Sequence, residues 1–376
     1  MQTDSAEPME NGKRGSLLSL IRQRPLLPPL FAILLVWIVY INLPGRTLEV
    51  TEFQSTGTMI AAAEKSEPFQ ARVVYSPGYL ISIGGLEKLH PFDIRKYEKI
   101  HNKLVSDGLL TDEQTYKPEP IDRDDLALVH TSEYLDSLKS RKKIAEYLEA
   151  GILLLAPVSL DRAVLAPFRR ASGGTLLAGR LALEHGIGIN LGGGYHHAKP
   201  DKGEGFCAYA DVAIAIRRLQ NENLIERAIV IDVDAHQGNG TAECLANDDS
   251  TLTFSMHQGD IYPYDKSESD LDIALNRGTD DAEFMRILER YLDKVLDESK
   301  ADICFIVAGC DTLATDPLAH LEMTPEGVVR RDSRIVEACV ARRIPVVVTL
   351  SGGYSPKAWE TQYKSVRNLL ESYPAQ

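Results

Sequence analysis

The sequence predicts an α/β protein built on an open, mostly parallel sheet with helices on both faces, preceded by an N-terminal transmembrane helix. Three observations carry that reading. Beyond residue 70, short runs rich in Val and Ile alternate with longer stretches of helical apolar spacing, the pattern of buried strands joined by crossover helices. The residues that follow these runs are polar, and in such sheets ligands bind beyond the carboxyl ends of the strands. A charge-free segment near the N-terminus stands apart from everything after it.

Taken in order, residues 1–24 read as a polar tail and residues 25–45, "PLLPPLFAILLVWIVYINLPG", as a single-pass membrane anchor. The run is about long enough to span a thin bilayer. Lys13, Arg14, Arg22 and Arg24 precede it and Arg46 follows, a bias that keeps the N-terminus cytoplasmic and sends the remainder to the far side of the membrane. No small-residue cleavage site directly follows, and Pro28 with Pro29 would disturb a core helix, so an uncleaved anchor is preferred to a signal peptide or a buried helix. Residues 46–70 read as a polar linker and 71–376 as one catalytic domain without internal repeats.

Candidate strands are "ARVVY" (71–75), "GIGIN" (186–190), "AIVIDVD" (228–234), "LTFSM" (252–256), "ICFIVAG" (303–309) and "PVVVTLSG" (345–352). "GGTLLAGRLALEHG", "DVAIAIRRLQNENL" and "DAEFMRILERYLDKVLDESKAD" have the apolar spacing of helices between them. At 376 residues and 44% hydrophobic content the chain can bury a sizeable core. A net charge of −13 argues against direct nucleic-acid binding. The five cysteines are odd in number and lack CxxC spacing, which reads as free thiols.

The strand ends deliver chemistry to one edge. "GGGYHH" (Gly192 to His197) sets two imidazoles behind a glycine turn, and "IDVDAHQGNG" places Asp232, Asp234 and His236 at alternate positions, on one face of an extended segment. One carboxylate and one imidazole from that stretch, with Asp311 from the end of 303–309, make a three-ligand site with an open position. Asp232 is then free to orient a neighbouring His or to hold a monovalent cation. Cys310 adjoins Asp311 and points to the opposite face, so it is rejected as a ligand. Of the remaining histidines only His257 is expected near the cleft. There is no P-loop, GxSxG or HExxH, and "NGT" at Asn239 is taken as a chance glycosylation match inside the metal loop.

These stretches resemble the zinc-dependent histone deacetylase family, most closely its class IV members. "INLGGGYHHAKPDKGEGFCAYADVAIAI", "VIDVDAHQGNGT", "AGCDTLATDPL" and "SGGY", with "LHPFD" and "LVHTSEYL" upstream, match in order over about residues 73–370. The resemblance implies an arginase/deacetylase-like fold and a metal, Zn2+ or Fe2+, bound by Asp234, His236 and Asp311, with a structural K+ near Asp232. It implies that His196 and His197 form the catalytic pair, oriented by Asp232 and Asn239 respectively, and that Tyr354 stabilises the oxyanion. Gly205, Phe206 and Tyr262 are implied at the substrate tunnel. Many family members carry Asp where Asn239 stands, and a neutral amide raises the basicity of His197 less than a carboxylate would.

The expected activity is metal-dependent hydrolysis of the amide of an acyl-lysine side chain in a protein or peptide. The alternatives are hydrolysis of an acylated polyamine and a membrane-tethered protein that binds acylated ligands without turnover. The class IV resemblance further implies a preference for long acyl chains.

Overall fold

The computed structural model describes residues 67–375. The expected anchor at 25–45, the tail before it and most of the linker lie outside the described residues. Among the described residues no helix is long and apolar enough to cross a membrane.

One sheet of eight strands organises the domain: β1 (Gln70–Val74), β2 (Thr115–Tyr116), β3 (Gly186–Asn190), β4 (Ala228–Asp232), β5 (Thr251–Gln258), β6 (Leu271–Leu275), β7 (Ile303–Val307) and β8 (Val346–Thr349). Every pairing is parallel, in the order β2-β1-β3-β8-β7-β4-β5-β6. β1 begins inside the stretch read as linker. Phe69 just before it already packs on the core, with the Arg343 guanidinium 4.9 Å from its ring centroid. β2 and β6 are absent from the expected strands because they are the sheet's edges: β2 has two residues and β6 is largely half-buried, so neither shows a solid apolar run.

The central strands β3, β4, β7 and β8 are buried throughout, as strands covered on both faces must be. Their side chains alternate. Ile229 and Ile231 of β4, with Cys304 and Ile306 of β7, face a core closed by α1 (Lys96–Ser106), α4 (Asp281–Ser299), α5 (Pro325–Ala341) and α6 (Ala358–Ser372). Val230, Phe305 and Val347 face the other way, onto α2 (Ala166–His185) and α3 (Asp211–Asn221). The two-residue period of the strand thus fills both cores from one run of sequence. A third cluster, including Leu148, Leu153, Phe168 and Ile214, packs the short helices and turns of 121–165 against α3 and the start of α2.

The sheet order has one functional consequence. β3, β8, β7 and β4 are consecutive neighbours, so the segments after them, far apart in the chain, emerge side by side at the carboxyl edge.

Candidate functional site

The expected strands 228–234, 303–309 and 345–352 run on past the observed ends at Asp232, Val307 and Thr349. Beyond those points the backbone leaves the ladder and is held by side chains, and there the site is assembled. Asp234, His236 and Asp311 each bring a ligand atom within 4.8 Å of the other two, and all are buried. His236 Nδ1 lies 2.9 Å from Asp311 Oδ2 and 3.2 Å from Asp234 Oδ1. Burial and the Asp234 charge hold the Asp311 carboxyl up at about 7, a conflict that a divalent cation among these groups relieves. Two carboxylates and an imidazole suit zinc or ferrous iron, so the residues fit the metal. Room for the Asp234 carboxylate comes from Gly309 and Gly352, where a Cβ would collide with it.

Ser351 and Gly352 complete the setting of Asp234. The Ser351 hydroxyl and the Gly352 N–H both donate to Asp234 Oδ2 at 3.0 Å. Ser351 sits at φ 44°, in the left-handed region. That loop is anchored from the first core by the buried Lys96, whose Nζ donates to Ser351 O and Gly352 O at 2.6 and 2.9 Å, and by Gln362, which donates to Leu350 O. Neither side chain was singled out from the sequence, because a lone Lys or Gln in a helix carries no motif.

The paired histidines are oriented differently. His196 Nδ1 donates to Asp232 Oδ2 at 2.7 Å, and the other Asp232 oxygen accepts from the Asp234 N–H. Burial opposes a charge on His196, yet the Asp232 and Asp234 carboxylates lift it to about 9. His197 Nδ1 lies 2.7 Å from Asn239 Oδ1, and Asn239 Nδ2 donates to Glu204 Oε1 at 3.1 Å. Because Glu204 can only accept, the amide must turn its oxygen to the ring, so His197 carries its proton on Nδ1 and leaves Nε2 as acceptor. Burial and the charges of His196 and His236 hold His197 well below the usual imidazole range. The glycine turn beneath the pair places Gly193 and Gly194 at φ 74° and 77°, and Asp211 accepts from the N–H groups of Gly194 and Tyr195.

Tyr354 follows β8. Its N–H donates to Asp316 Oδ2 at 2.7 Å, and its ring lies edge-on to those of His236, Phe206 and Phe92. Phe206 projects from a left-handed pair with Gly205, at φ 64° and 53°; a Cβ on Gly205 would strike the His197 ring. His90 packs edge-on to Phe206 at 4.5 Å. His90, Phe92, Phe206 and Tyr354 thus form a collar at the His pair. Behind it a cavity of about 110 Å³ is walled by apolar residues such as Ile83, Leu148, Leu153, Val164 and Phe168. One water needs ~10–15 Å³ on that measure, so the space takes a group well beyond a methyl.

The geometry also places three further residues that the sequence reading named. Tyr262, expected at the tunnel, sets its ring edge-on to His197 at 5.1 Å and to His236 at 6.4 Å and donates its hydroxyl to Glu149 Oε1, so it stands at the histidines and not among the residues of the apolar cavity. His257 also lies off the cavity lining, engaged with Ser255, whereas His90 is the histidine that joins the collar. Cys310 turns away from the ligands, its Sγ 3.6 Å from Ala358 O.

The model of the histone deacetylase domain matches residues 90–370. The chain belongs to the histone deacetylase family. It is 37% identical over 301 residues to "Histone deacetylase 2" of Arabidopsis thaliana, covering 79% of this chain and 78% of that protein. It is 32% identical over 286 residues to a "Probable deacetylase" of Archaeoglobus fulgidus, covering 71% and 77%. The crystal structure of the HDA15 HD domain superimposes with a TM-score of 0.66 at 20% identity, covering 82% of this chain and 90% of that one, and shares the fold. This deacetylase is accordingly a hydrolase, and the reading of a non-catalytic binding protein falls away.

Proposed function

We propose that the protein hydrolyses the amide of acyl-lysine side chains at the carboxyl edge of β3, β8, β7 and β4. One juxtaposition carries this reading: the buried Asp234, His236 and Asp311 cluster beside a His197 whose Nε2 is left as acceptor by Asn239 and Glu204. A zinc or ferrous ion held by those three ligands would supply a Lewis acid that polarises the carbonyl and acidifies water. His197 takes a proton from the attacking water and returns it to the departing lysine nitrogen, and the remaining acid proton passes to the amine, giving a carboxylate and an ammonium. The Tyr354 hydroxyl donates to the carbonyl oxygen as it gains charge. His196 stays fixed by Asp232 and contributes its charge beside the reaction. Both Asp232 oxygens accept hydrogen bonds, from the His196 ring and the Asp234 N–H, which supports this orienting role.

The apolar cavity supports a long acyl chain over acetyl as the preferred group, since each buried methylene contributes about 0.8 kcal/mol. An acylated polyamine would call for free carboxylates near the mouth. Glu87 accepts from the N–H groups of Ile83 and Gly85 on Oε2 alone, and Glu149 from Gly205 N–H and Tyr262 Oη on Oε1 alone, so each keeps a second oxygen and its charge, and the polyamine reading is separated by assay. The deciding assay supplies lysine peptides bearing acetyl, octanoyl and myristoyl groups, and acetylated polyamines, with zinc present and then chelated. Chelator-sensitive release from peptides, rising with chain length, is expected; turnover of polyamines alone would overturn the substrate reading.

The localisation we propose rests on the sequence of residues 1–46 alone: a single-pass anchor with the catalytic domain on the far side of the membrane. A reporter fused after Gln376 that is active only in the cytoplasm would overturn it.

A further inference from the structure

We propose that Arg331 is a positioning residue of the metal centre, setting the separation of the two strand ends that present the ligands. The inference rests on the reading that Asp234, His236 and Asp311 hold a metal. Arg331 projects from α5 and is fully buried. Its guanidinium makes five polar contacts. Nε and Nη2 reach Asp332 Oδ1 at 2.9 and 2.8 Å, Nη2 also donates to Gly309 O at 2.9 Å, and Nη1 donates to Val233 O at 3.0 Å and Thr312 Oγ1 at 3.1 Å. Asp332 is held in turn by the Ser365 hydroxyl.

The choice of partners is what points to the metal. Val233 immediately precedes Asp234, Gly309 lies two residues before Asp311, and Thr312 follows it. The β4–β7 register ends at Asp232 and Val307, and one further bond, Val233 N–H to Val307 O, closes the ladder. From there the ligand segments diverge, and the rigid fork of a guanidinium spans them at a fixed width. A buried Arg–Asp pair is weak evidence for stability, since apolar residues of similar volume often serve as well or better. What apolar side chains cannot supply is simultaneous donation to both carbonyls. Groups that orient ligands from behind commonly change metal affinity by about 10–100-fold.

The test uses the full chain loaded with zinc, and separately with cobalt. Arg331→Met is expected to release zinc to a chelating dye at least about 10-fold faster than wild type and to shift the visible absorption of the cobalt form. Arg331→Lys keeps the charge but replaces the rigid planar fork with one nitrogen on a flexible stem, and is expected to fall between. Leu292→Ala, a cavity variant in the same core on α4, is expected to lower Tm while leaving the release rate and the cobalt spectrum unchanged. Wild-type release and spectrum in both Arg331 variants would overturn the proposal. So would an equal perturbation by Leu292→Ala. Should Arg331→Met fail to fold, Arg331→Lys decides by the same two readouts. A wild-type chain that binds neither zinc nor cobalt would overturn the metal reading itself, and the proposal with it, a result distinct from the others.

Discussion

The two sides of the cleft are built on opposite principles. On one side Asp234, His236 and Asp311 stand on short continuations of β4 and β7, and nearly every polar atom around them has a fixed partner. On the other the cavity is walled by apolar side chains from 81–94 and 148–168, short turns and the start of α2 whose backbone is tied down at a distance by Glu87 and Arg141. The lesson is one of tolerance. Charges in a buried, low-dielectric site need exact partners, whereas an apolar wall needs only shape and volume. Changes on the polar side should therefore cost activity steeply, and changes on the wall should redistribute substrate preference.

The largest effect tests the polar side. Asp311→Ala leaves two protein ligands and should lose stoichiometric zinc together with detectable hydrolysis; metal analysis of the purified variant checks it, and near-stoichiometric zinc at wild-type rates would erase the distinction drawn here. Tyr354→Phe keeps the ligand set, so zinc content should hold while kcat falls about 10²–10³-fold. Steady-state kinetics with one acyl peptide measures this, and an unchanged kcat would exclude the oxyanion role.

The wall should respond differently. Leu153→Trp fills part of the cavity, and if it excludes about three or four methylenes of a long chain, kcat/KM for a myristoyl peptide should drop about 100-fold while acetyl turnover stays within about three-fold. Equal losses on both peptides would mean that the wall, too, serves the chemistry.

The smallest effect is on stability. His130 accepts from the Ala210 N–H at Nε2 and faces Lys199 O through Nδ1, and burial presses its pKa down to about 4. The folded state thus keeps it neutral while the unfolded state, near 6.5, takes up a proton. Stability is lost as pH falls from about 6.5 toward 4, by about 2 kcal/mol between pH 7 and pH 5. Urea unfolding at the two pH values should show this difference shrink in His130→Gln, which does not titrate in that range. An undiminished loss would shift the acid sensitivity to another group.

What could be read in advance follows the same division. Asp232, Asp234 and His236 share one short stretch whose residue types already read as metal-binding, although extended alternation ends at Asp232 and side-chain bonds hold the bends at 234–236. Asp311, the paired histidines and Tyr354 follow apolar runs, which marked them as strand-end residues. The cavity wall had no such mark: Ile83 and Leu153 are apolar residues in segments without a period, and apolar residues are common in every core. Resemblance names Tyr262 as a site residue, and only packing on His197 and the bond to Glu149 set the direction of its ring.

By itself the sequence determined the α/β class, the central strands and the chemical types that follow them, because strand periodicity and strand-end chemistry are local properties. Tertiary structure alone decided that β3, β8, β7 and β4 stand in consecutive places, which brings His197, Tyr354, Asp311 and Asp234 into one site. It also decided that Lys96, Gln362 and Arg331 reach from three helices to the carbonyls behind that site. Strand order and buried donor contacts are set by packing between residues that are distant in the chain, and no local pattern encodes which distant carbonyl a lysine, a glutamine or an arginine will meet.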